Sequence, residues 1–409
     1  MKIDCHCHVF DNHCVPVGGF LASRLGIAIS KPAANLIRDL RRGSMSRSPL
    51  DYFGDIKFDL DTFLSNLSDE EDKNSLAFIL KHPDDFLAFL QVGILSIHEI
   101  FDRMKENAPG IDMFVPLMMD MTHAYPLSQP ETGFDEQCTI MSGATLQQQG
   151  RMMPFYAFDP RADNALQKAK TAIESLGFVG IKLYPPLGYK TIGNKVEVVE
   201  KRLHDLYEYC TAGREDPIPI TTHCSWSAGV YSSEKVNGME NIKSYFRSMA
   251  NPSYWAKVLE KYPKLKVNLG HFGGLGEWTL RVKGEDYEQN WIDPIIGLLR
   301  DSDNVYTDIS YNYLPSTDDA QQYKRLLLEK IDGVEHRILF GTDWYMSRLL
   351  CGLEKFCESY EQLLPDLYAK AAGENAVAFL KSDASTIFFP QFFDRNKGKL
   401  ETEYRQLFV

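Results

Sequence analysis

Short runs rich in β-branched and aromatic residues recur along the chain, separated by stretches whose apolar positions return every three or four residues. Eight such runs stand out: Ile3 to His8, Met113 to Met118, Met153 to Phe158, Phe178 to Tyr184, Ile218 to His223, Lys266 to His271, Val305 to Ile309 and Ile338 to Thr342. Most end in polar or Gly-containing loops. Between them Leu166, Ala169, Ile173 and Leu176 form a helical stripe, and Val199, Leu203, Leu206, Tyr207 and Cys210 form a second. Trp255, Val258, Leu259 and Tyr262 form a third, opened by Asn251-Pro252 as cap and first turn and closed by Pro263. Strand alternating with helix predicts parallel strands joined by right-handed crossovers, either closed as a (β/α)8 TIM barrel or left open as a doubly wound sheet. A count of eight strands selects the barrel.

Two gaps exceed simple loops. Residues 11–90 precede a first barrel helix expected near Gln91 to Asn107, and Cys224 to Ala250 follow the fifth strand. Both leave from the C-terminal ends of strands. The expected organisation is one barrel over residues 1–381, including a helical insertion after strand one as a cap over 11–90, then a C-terminal extension over 382–409. The cap segment combines the apolar run Phe86-Leu87-Ala88-Phe89-Leu90 with the basic Arg41-Arg42-Gly43-Ser44. That mixture suits a cover over the barrel mouth or a contact with a second subunit, making a homodimer; helices added to the barrel rim are the plain alternative.

Charge narrows the partners. In 409 residues, 44 Lys and Arg face 56 Asp and Glu, a net charge of −12, which argues against nucleic acid or an anionic membrane and for a small-molecule substrate. Eight cysteines without a CxxC pair read as reduced thiols in the cytoplasm. Neither a signal peptide nor a run of about 18 apolar residues is evident, so no membrane or export role is expected.

The most informative segment for chemistry is Asp4-Cys5-His6-Cys7-His8. In a strand His6 and His8 point to one side, about 7 Å apart, and can converge on one metal, while Cys5 and Cys7 pack on the other side. Read from the same end, strand four finishes at Lys182 and Tyr184, strand five at His223, strand six at His271 and strand eight at Asp343. A barrel gathers its chemistry at that rim, so each is a candidate ligand or base. A divalent ion held by neutral imidazoles and a carboxylate lowers the pKa of a water towards about 7 and polarises a carbonyl. Asp343 is placed to take that water's proton, and His271 to polarise or protonate substrate or to bind a second ion. Lys182 divides the versions of the site: an amine of depressed pKa, a carbamate bridging two ions, a cation for an anionic substrate, or a lysine pointing away to the surface.

Around this set, Arg161 and Arg348 follow strands three and eight, where each forms either a substrate-carboxylate clamp or a surface salt bridge. Tyr184, Trp226 and Trp344 either wall a planar substrate or pack the rim. His123, just past strand two, is the one further histidine expected near substrate; His13, His82, His98, His204 and His336 lack supporting neighbours in the sequence.

The ordered set of His6, His8, Lys182, His223, His271 and Asp343 resembles the amidohydrolase superfamily. With strand one starting at about residue 3 and few residues after Lys381, there is no room for the flanking β-sandwich of many members. The chain is therefore more similar to the compact amidohydrolase-related group that includes aminocarboxymuconate-semialdehyde decarboxylase. Gly180-Ile181-Lys182-Leu183, Gly341-Thr342-Asp343 and Glu374-Asn375-Ala376 are similar to that group's signatures, and the likeness runs from residue 3 to about 381 outside the insertions. The resemblance implies one ion held by His6, His8, His223 and Asp343, with two ions as the alternative if Lys182 is a carbamate. Zinc is the first expectation for the metal; manganese, iron, cobalt and nickel suit the same donors. The expected function is a metal-dependent hydrolase of a small organic-acid amide, ester or lactone. A metal-dependent non-oxidative decarboxylase of a planar unsaturated or aromatic acid is the first alternative, and a non-catalytic metal-dependent binding protein is the second.

Overall fold

The computed structural model describes residues 1–16, 19, 92–125, 128–148, 150–227, 242–284, 290–328, 333–344 and 346–382. Most of the expected cap, with its 86–90 run and His82, and all but the first residue of the expected C-terminal extension lie outside the described residues.

All eight runs contain strands: β1 Ile3–Cys7, β2 Met113–Pro116, β3 Phe155–Ala157, β4 Gly180–Leu183, β5 Ile220–Ser225, β6 Val267–Gly273, β7 Val305–Asp308 and β8 Ile338–Leu339. Every pairing is parallel, with β1 beside β2 and β3 through β8 in sequence order. Single hydrogen bonds join the two sheets into a ring. Between β2 and β3, Met153 N–H donates to Phe114 O at 2.9 Å and Met118 N–H to Phe155 O at 3.2 Å. Across the other seam Cys5 N–H donates to Phe340 O at 2.9 Å, and Cys7 bridges Trp344. The fold is a TIM barrel.

The helices on its outside are α1 Ile97–Asn107, α2 Phe134–Gln147, α3 Ala165–Ser175, α4 Glu197–Thr211, α5 Ile242–Arg247, α6 Ser253–Lys261, α7 Leu275–Lys283, α8 Ile292–Asp301, α9 Thr317–Leu328, α10 Leu353–Leu363, α11 Pro365–Ala372 and α12 Glu374–Leu380. In α4 the five residues of the expected stripe are the five that are buried, Val199, Leu203, Leu206, Tyr207 and Cys210. Burying an aliphatic side chain of this kind stabilises by about 1.5–3 kcal/mol, which favours docking of this face on the barrel. In α3 the buried face is Ala165, Ala169, Ala172 and Ile173, while Leu166 is only half-buried and Leu176, half-buried too, packs against the core.

Helix α1 begins at Ile97, later than the residue 91 expected. Ser96 and Glu99 form a capping box, with Glu99 N–H donating to Ser96 Oγ and Ser96 N–H to Glu99 Oε2 at 2.9 Å, and that fixes the start. Before α6, Asn251 Oδ1 accepts from Ser253 N–H at 2.9 Å, as its place before Pro252 anticipated. Lys182, Tyr184, His223, His271 and Asp343 all lie at the C-terminal strand ends, so they share one rim of the barrel.

Candidate metal centre

Alternation along β1 sends His6 and His8 into the barrel mouth and Cys5 into the packing against Met113, Val115 and Leu339. The other element at this seam is the turn after β8, where Asp343 has φ +56 and its N–H donates to His6 O at 2.7 Å. Asp4 fastens the same seam: it accepts from His6 N–H at 3.1 Å, Thr342 N–H at 3.1 Å and the Thr342 hydroxyl at 2.6 Å. Burial raises the Asp4 carboxyl to about 7, against the pull of those bonds.

Two outer hydrogen bonds decide how the histidines present themselves. His8 Nδ1 lies 2.8 Å from the Leu117 carbonyl, which can only accept, so Nδ1 carries a proton and Nε2 is the position at which a neutral ring would offer its lone pair. His6 Nδ1 lies 2.8 Å from Asp308 Oδ2, with the same consequence. His8 Nε2 then stands 3.0 Å, and His6 Nε2 3.7 Å, from Asp343 Oδ1. His6 Nε2, His223 Nε2 and Asp343 Oδ1 are buried without a hydrogen-bond partner. Lone pairs facing a carboxylate oxygen in a buried site repel unless a cation or proton lies between them. Nitrogen and carboxylate donors of this kind suit a divalent transition metal, and His6, His8 and Asp343 offer ligand atoms within 4.8 Å of one another.

His223 borders this cluster, although its ligand atom is not among those that lie within 4.8 Å of one another. Its ring lies 4.8 Å from that of His271 and beneath Tyr184, at 4.5 Å and 32°. Burial drives its pKa well below the ordinary range, aided by His271 and Lys182, so it is a neutral ligand-type imidazole. His271 lies 4.5 Å from His6 by ring centroids, and burial lowers its pKa too. Lys182 is 2 % exposed; its carbonyl accepts from Phe158 N–H at 2.9 Å, and among the described residues its amine makes no hydrogen bond or ion pair. Burial brings its amine down to about 8, opposed by the charges of Asp308 and Asp343.

A second group of ligand-type atoms, His6, His271 and Asp308, also lies within 4.8 Å. Asp308 is already committed. Oδ2 accepts from His6 Nδ1 and, at 2.7 Å, from Asn268 Nδ2; Oδ1 accepts from His271 N–H at 2.9 Å, Ser310 N–H at 3.1 Å and the Ser310 hydroxyl. His6 and these bonds hold its carboxyl far below the usual range despite burial. Asp308 orients the histidines rather than offering a lone pair to an ion. Sequence reading passed it over; the available signal was a lone carboxylate ending the otherwise uncharged run Val305 to Asp308. Ser310, Asn268 and the Leu117 carbonyl gave no sequence signal.

Backbone strain gathers at the same rim. His271, Phe272 and Tyr311 have φ of +66, +45 and +62, beside Asp343. Such residues cost about 1–3 kcal/mol each where they persist, and they concentrate where geometry serves chemistry. At His271 the conformation is held by Asp308 on its N–H and by Asn312 Nδ2, 2.9 Å from its carbonyl.

Arg161 Nε donates to Asp159 Oδ1 at 2.9 Å and Nη2 to Oδ2, a bidentate pair. The Arg348 side chain lies outside those described. Trp226 is half-buried with its ring edge-on to Trp291 at 5.9 Å, and Trp344 is buried in the β1–β8 seam. His123 is half-buried beside Asp120, and among the described residues no hydrogen bond or ring contact joins it to the histidine cluster.

A barrel with one rim of histidines and a carboxylate, arranged as unpartnered ligand atoms, defines the class of metal-dependent barrel enzymes. The chain belongs to the Amidohydrolase family, whose model matches residues 3–381. It is an enzyme of the amidohydrolase type. Similar solved structures include an uncharacterized TIM-barrel protein from Bordetella bronchiseptica, 16 % identical over 93 % of this chain and 98 % of that one, with a TM-score of 0.48. The 5-carboxyvanillate decarboxylase LigW2 from Novosphingobium aromaticivorans, with bound manganese, is 13 % identical over 93 % of this chain and 97 % of its own, TM-score 0.47. LigW from Sphingomonas paucimobilis is 14 % identical over 69 % of this chain and 82 % of its own, TM-score 0.42. No curated protein matches the sequence. Among the described residues no helix is long and apolar enough to cross a membrane.

Proposed function

We propose that this chain is a metal-dependent hydrolase of a small organic-acid amide, ester or lactone. The observation that carries the reading is the convergence of His6 Nε2 and His8 Nε2 on Asp343 Oδ1, with His223 Nε2 equally unpartnered at the same rim. These four residues would hold one divalent ion, zinc being the first to test. When bound, such an ion supplies Lewis acidity, lowering the pKa of water towards about 7 and polarising a carbonyl or carboxylate oxygen.

The chain's own groups then divide the proton work. Asp343 offers one oxygen to the ligand cluster, and a carboxylate has a second that accepts a proton and returns it to a leaving group. His271, neutral through burial, stands beside His6 and His223 as the second proton carrier. Lys182 supplies a buried positive charge for a substrate carboxylate, and Tyr184 forms a flat wall over His223. A single ion is favoured because Asp308 has both oxygens engaged and so has no free acceptor for a second. The thiols of all eight cysteines are free, which fits a cytoplasmic enzyme.

A second reading, non-oxidative decarboxylation of a planar unsaturated or aromatic acid, is favoured by burial. His6, His8, Lys182, His223, His271 and Asp343 are each less than 10 % exposed. A carboxylate brought there loses hydration, which favours its departure as neutral CO2. The test is to load the protein with zinc, measure metal per chain by elemental mass spectrometry, and assay panels of lactones, amides and aromatic acids. Products carrying an added water support hydrolysis; CO2 release transfers the reading to decarboxylation. Ligands that raise Tm without any product would overturn both in favour of a binding protein.

A further inference from the structure

The hydroxyl of Ser310 sits between three partners: Asp308 Oδ1 in a short hydrogen bond, His271 Nδ1 at 2.9 Å and His6 Nδ1 at 3.1 Å. A serine hydroxyl has one proton to give. Asp308 already accepts from the Asn268 amide and from the His271 and Ser310 N–H groups, the surroundings of a carboxylate acceptor, so that proton lies between Ser310 and Asp308. His271 Nδ1, facing Ser310 Oγ, must therefore donate to it, whereas the one Nδ1 proton of His6 goes to Asp308 Oδ2 at 2.8 Å. For His271 a second constraint agrees, because its Nδ1 also lies 3.4 Å from the Ser310 carbonyl, which cannot donate either.

We infer that Ser310 is a positioning residue that fixes His271 as its Nδ1–H tautomer, with Asp308 as the charge at the far end of the chain His271–Ser310–Asp308. Nε2 lies on the edge of the ring away from Ser310 and makes no hydrogen bond among the described residues, while His271 keeps 7 % of its surface exposed. Neutral His271 thus meets substrate as a proton acceptor at Nε2. It donates there only after taking up a second proton, and the resulting imidazolium still has Nδ1–H on Ser310, with the Asp308 charge behind it. The Ser310 side chain is fully buried, and the left-handed backbone of His271 is held to the same carboxylate, so ring and main chain are oriented from one point.

The inference rests on the reading of His271 as the site's second proton carrier, but its test does not depend on turnover. Protein labelled with 15N-histidine and loaded with zinc is studied by long-range 1H–15N NMR at about pH 8, where an ordinary imidazole is neutral. The His271 signals are identified by their loss in His271→Gln. The expected wild-type pattern is a protonated Nδ1 and a bare Nε2. In Ser310→Ala that single pattern should be lost to a mixture of tautomers, and Ser310→Thr, which keeps the hydroxyl, should restore it. A wild-type His271 protonated at Nε2 overturns the inference, as does an unchanged Nδ1–H pattern in Ser310→Ala carrying full zinc. Zinc content is measured on each sample. If wild-type protein takes up no zinc, the metal reading fails, and the tautomer is still read on the same protein. If Ser310→Ala does not fold, the wild-type and Ser310→Thr spectra decide.

Discussion

Gly341 sets the clearance on which His6 depends. A Cβ added there would lie 2.5 Å from His6 Cβ, 3.1 Å from Ser310 Cβ and 3.2 Å from His6 N. Ordinary contact begins near 3.4 Å, so a methyl group demands a shift of about 0.9 Å. The neighbour cannot yield by rotating, because the clash is with Cβ and the backbone. His6 N–H is tied to Asp4 and His6 O to Asp343 N–H. Overpacking of this kind costs about 1–3 kcal/mol of stability. The effect on the metal should be larger, since ligand distances tolerate only about 0.2 Å and looser outer contacts already cost about 10–100-fold in affinity. Gly341→Ala should therefore weaken zinc binding by at least that factor, measured by competition with a chelator of known affinity, with denaturant unfolding of the metal-free protein giving the stability term. Gly276→Ala is the control: on α7 its added Cβ meets nothing within 4 Å, so zinc affinity should stay at the wild-type value. Gly341→Ala that binds zinc as tightly as wild type would refute the reasoning.

Removing a ligand tests the centre directly: His6→Ala and His8→Ala should lose the metal measured per chain, and Asp343→Asn should lower turnover far more than its unfolding midpoint. Asp308→Ala strands His6 Nδ1, Asn268 Nδ2 and the His271 and Ser310 N–H groups in the interior. Each buried donor left unsatisfied costs about 1–3 kcal/mol, to be read in urea titration, and a total loss below about 1 kcal/mol would deny it the orienting role. Glu277 gives a pH test away from the ligands. Burial raises its carboxyl from 4.5 to about 7, so the folded state holds the proton more tightly than the unfolded chain. The stability this gives is complete below pH 4.5 and fades as pH rises through about 7. Glu277→Gln, which does not titrate, should gain on wild type in Tm across that window, and parallel Tm curves would refute the assignment.

The barrel was largely legible in the chain, and so was one half of the site. Short β-branched and aromatic runs and helical stripes place strands and helices because burial acts locally on every element. In α4 the five stripe residues coincide with the five buried ones. The rim residues His6, His8, His223, His271 and Asp343 could be read because a parallel barrel always gathers the ends of its strands at one face. Asp308 was within a recognised strand and still went unread, because a lone carboxylate in a strand acquires meaning only from the donors around it. Arg161 shows the converse: its sequence position allowed a substrate clamp or a salt bridge, and the fork is bidentate on Asp159.

What the sequence determined by itself was therefore the order of elements and, in a helix such as α4, the face that is buried. Both follow from periodicity along one chain. What only the tertiary structure decided was which atom of each side chain is free. The Leu117 carbonyl fixes the proton on His8, Asp308 fixes it on His6, and Ser310 lies between Asp308 and His271 across 39 residues of sequence. A proton's place depends on the nearest acceptor in space, and hydrogen bonds are made over about 3 Å whatever the separation along the chain.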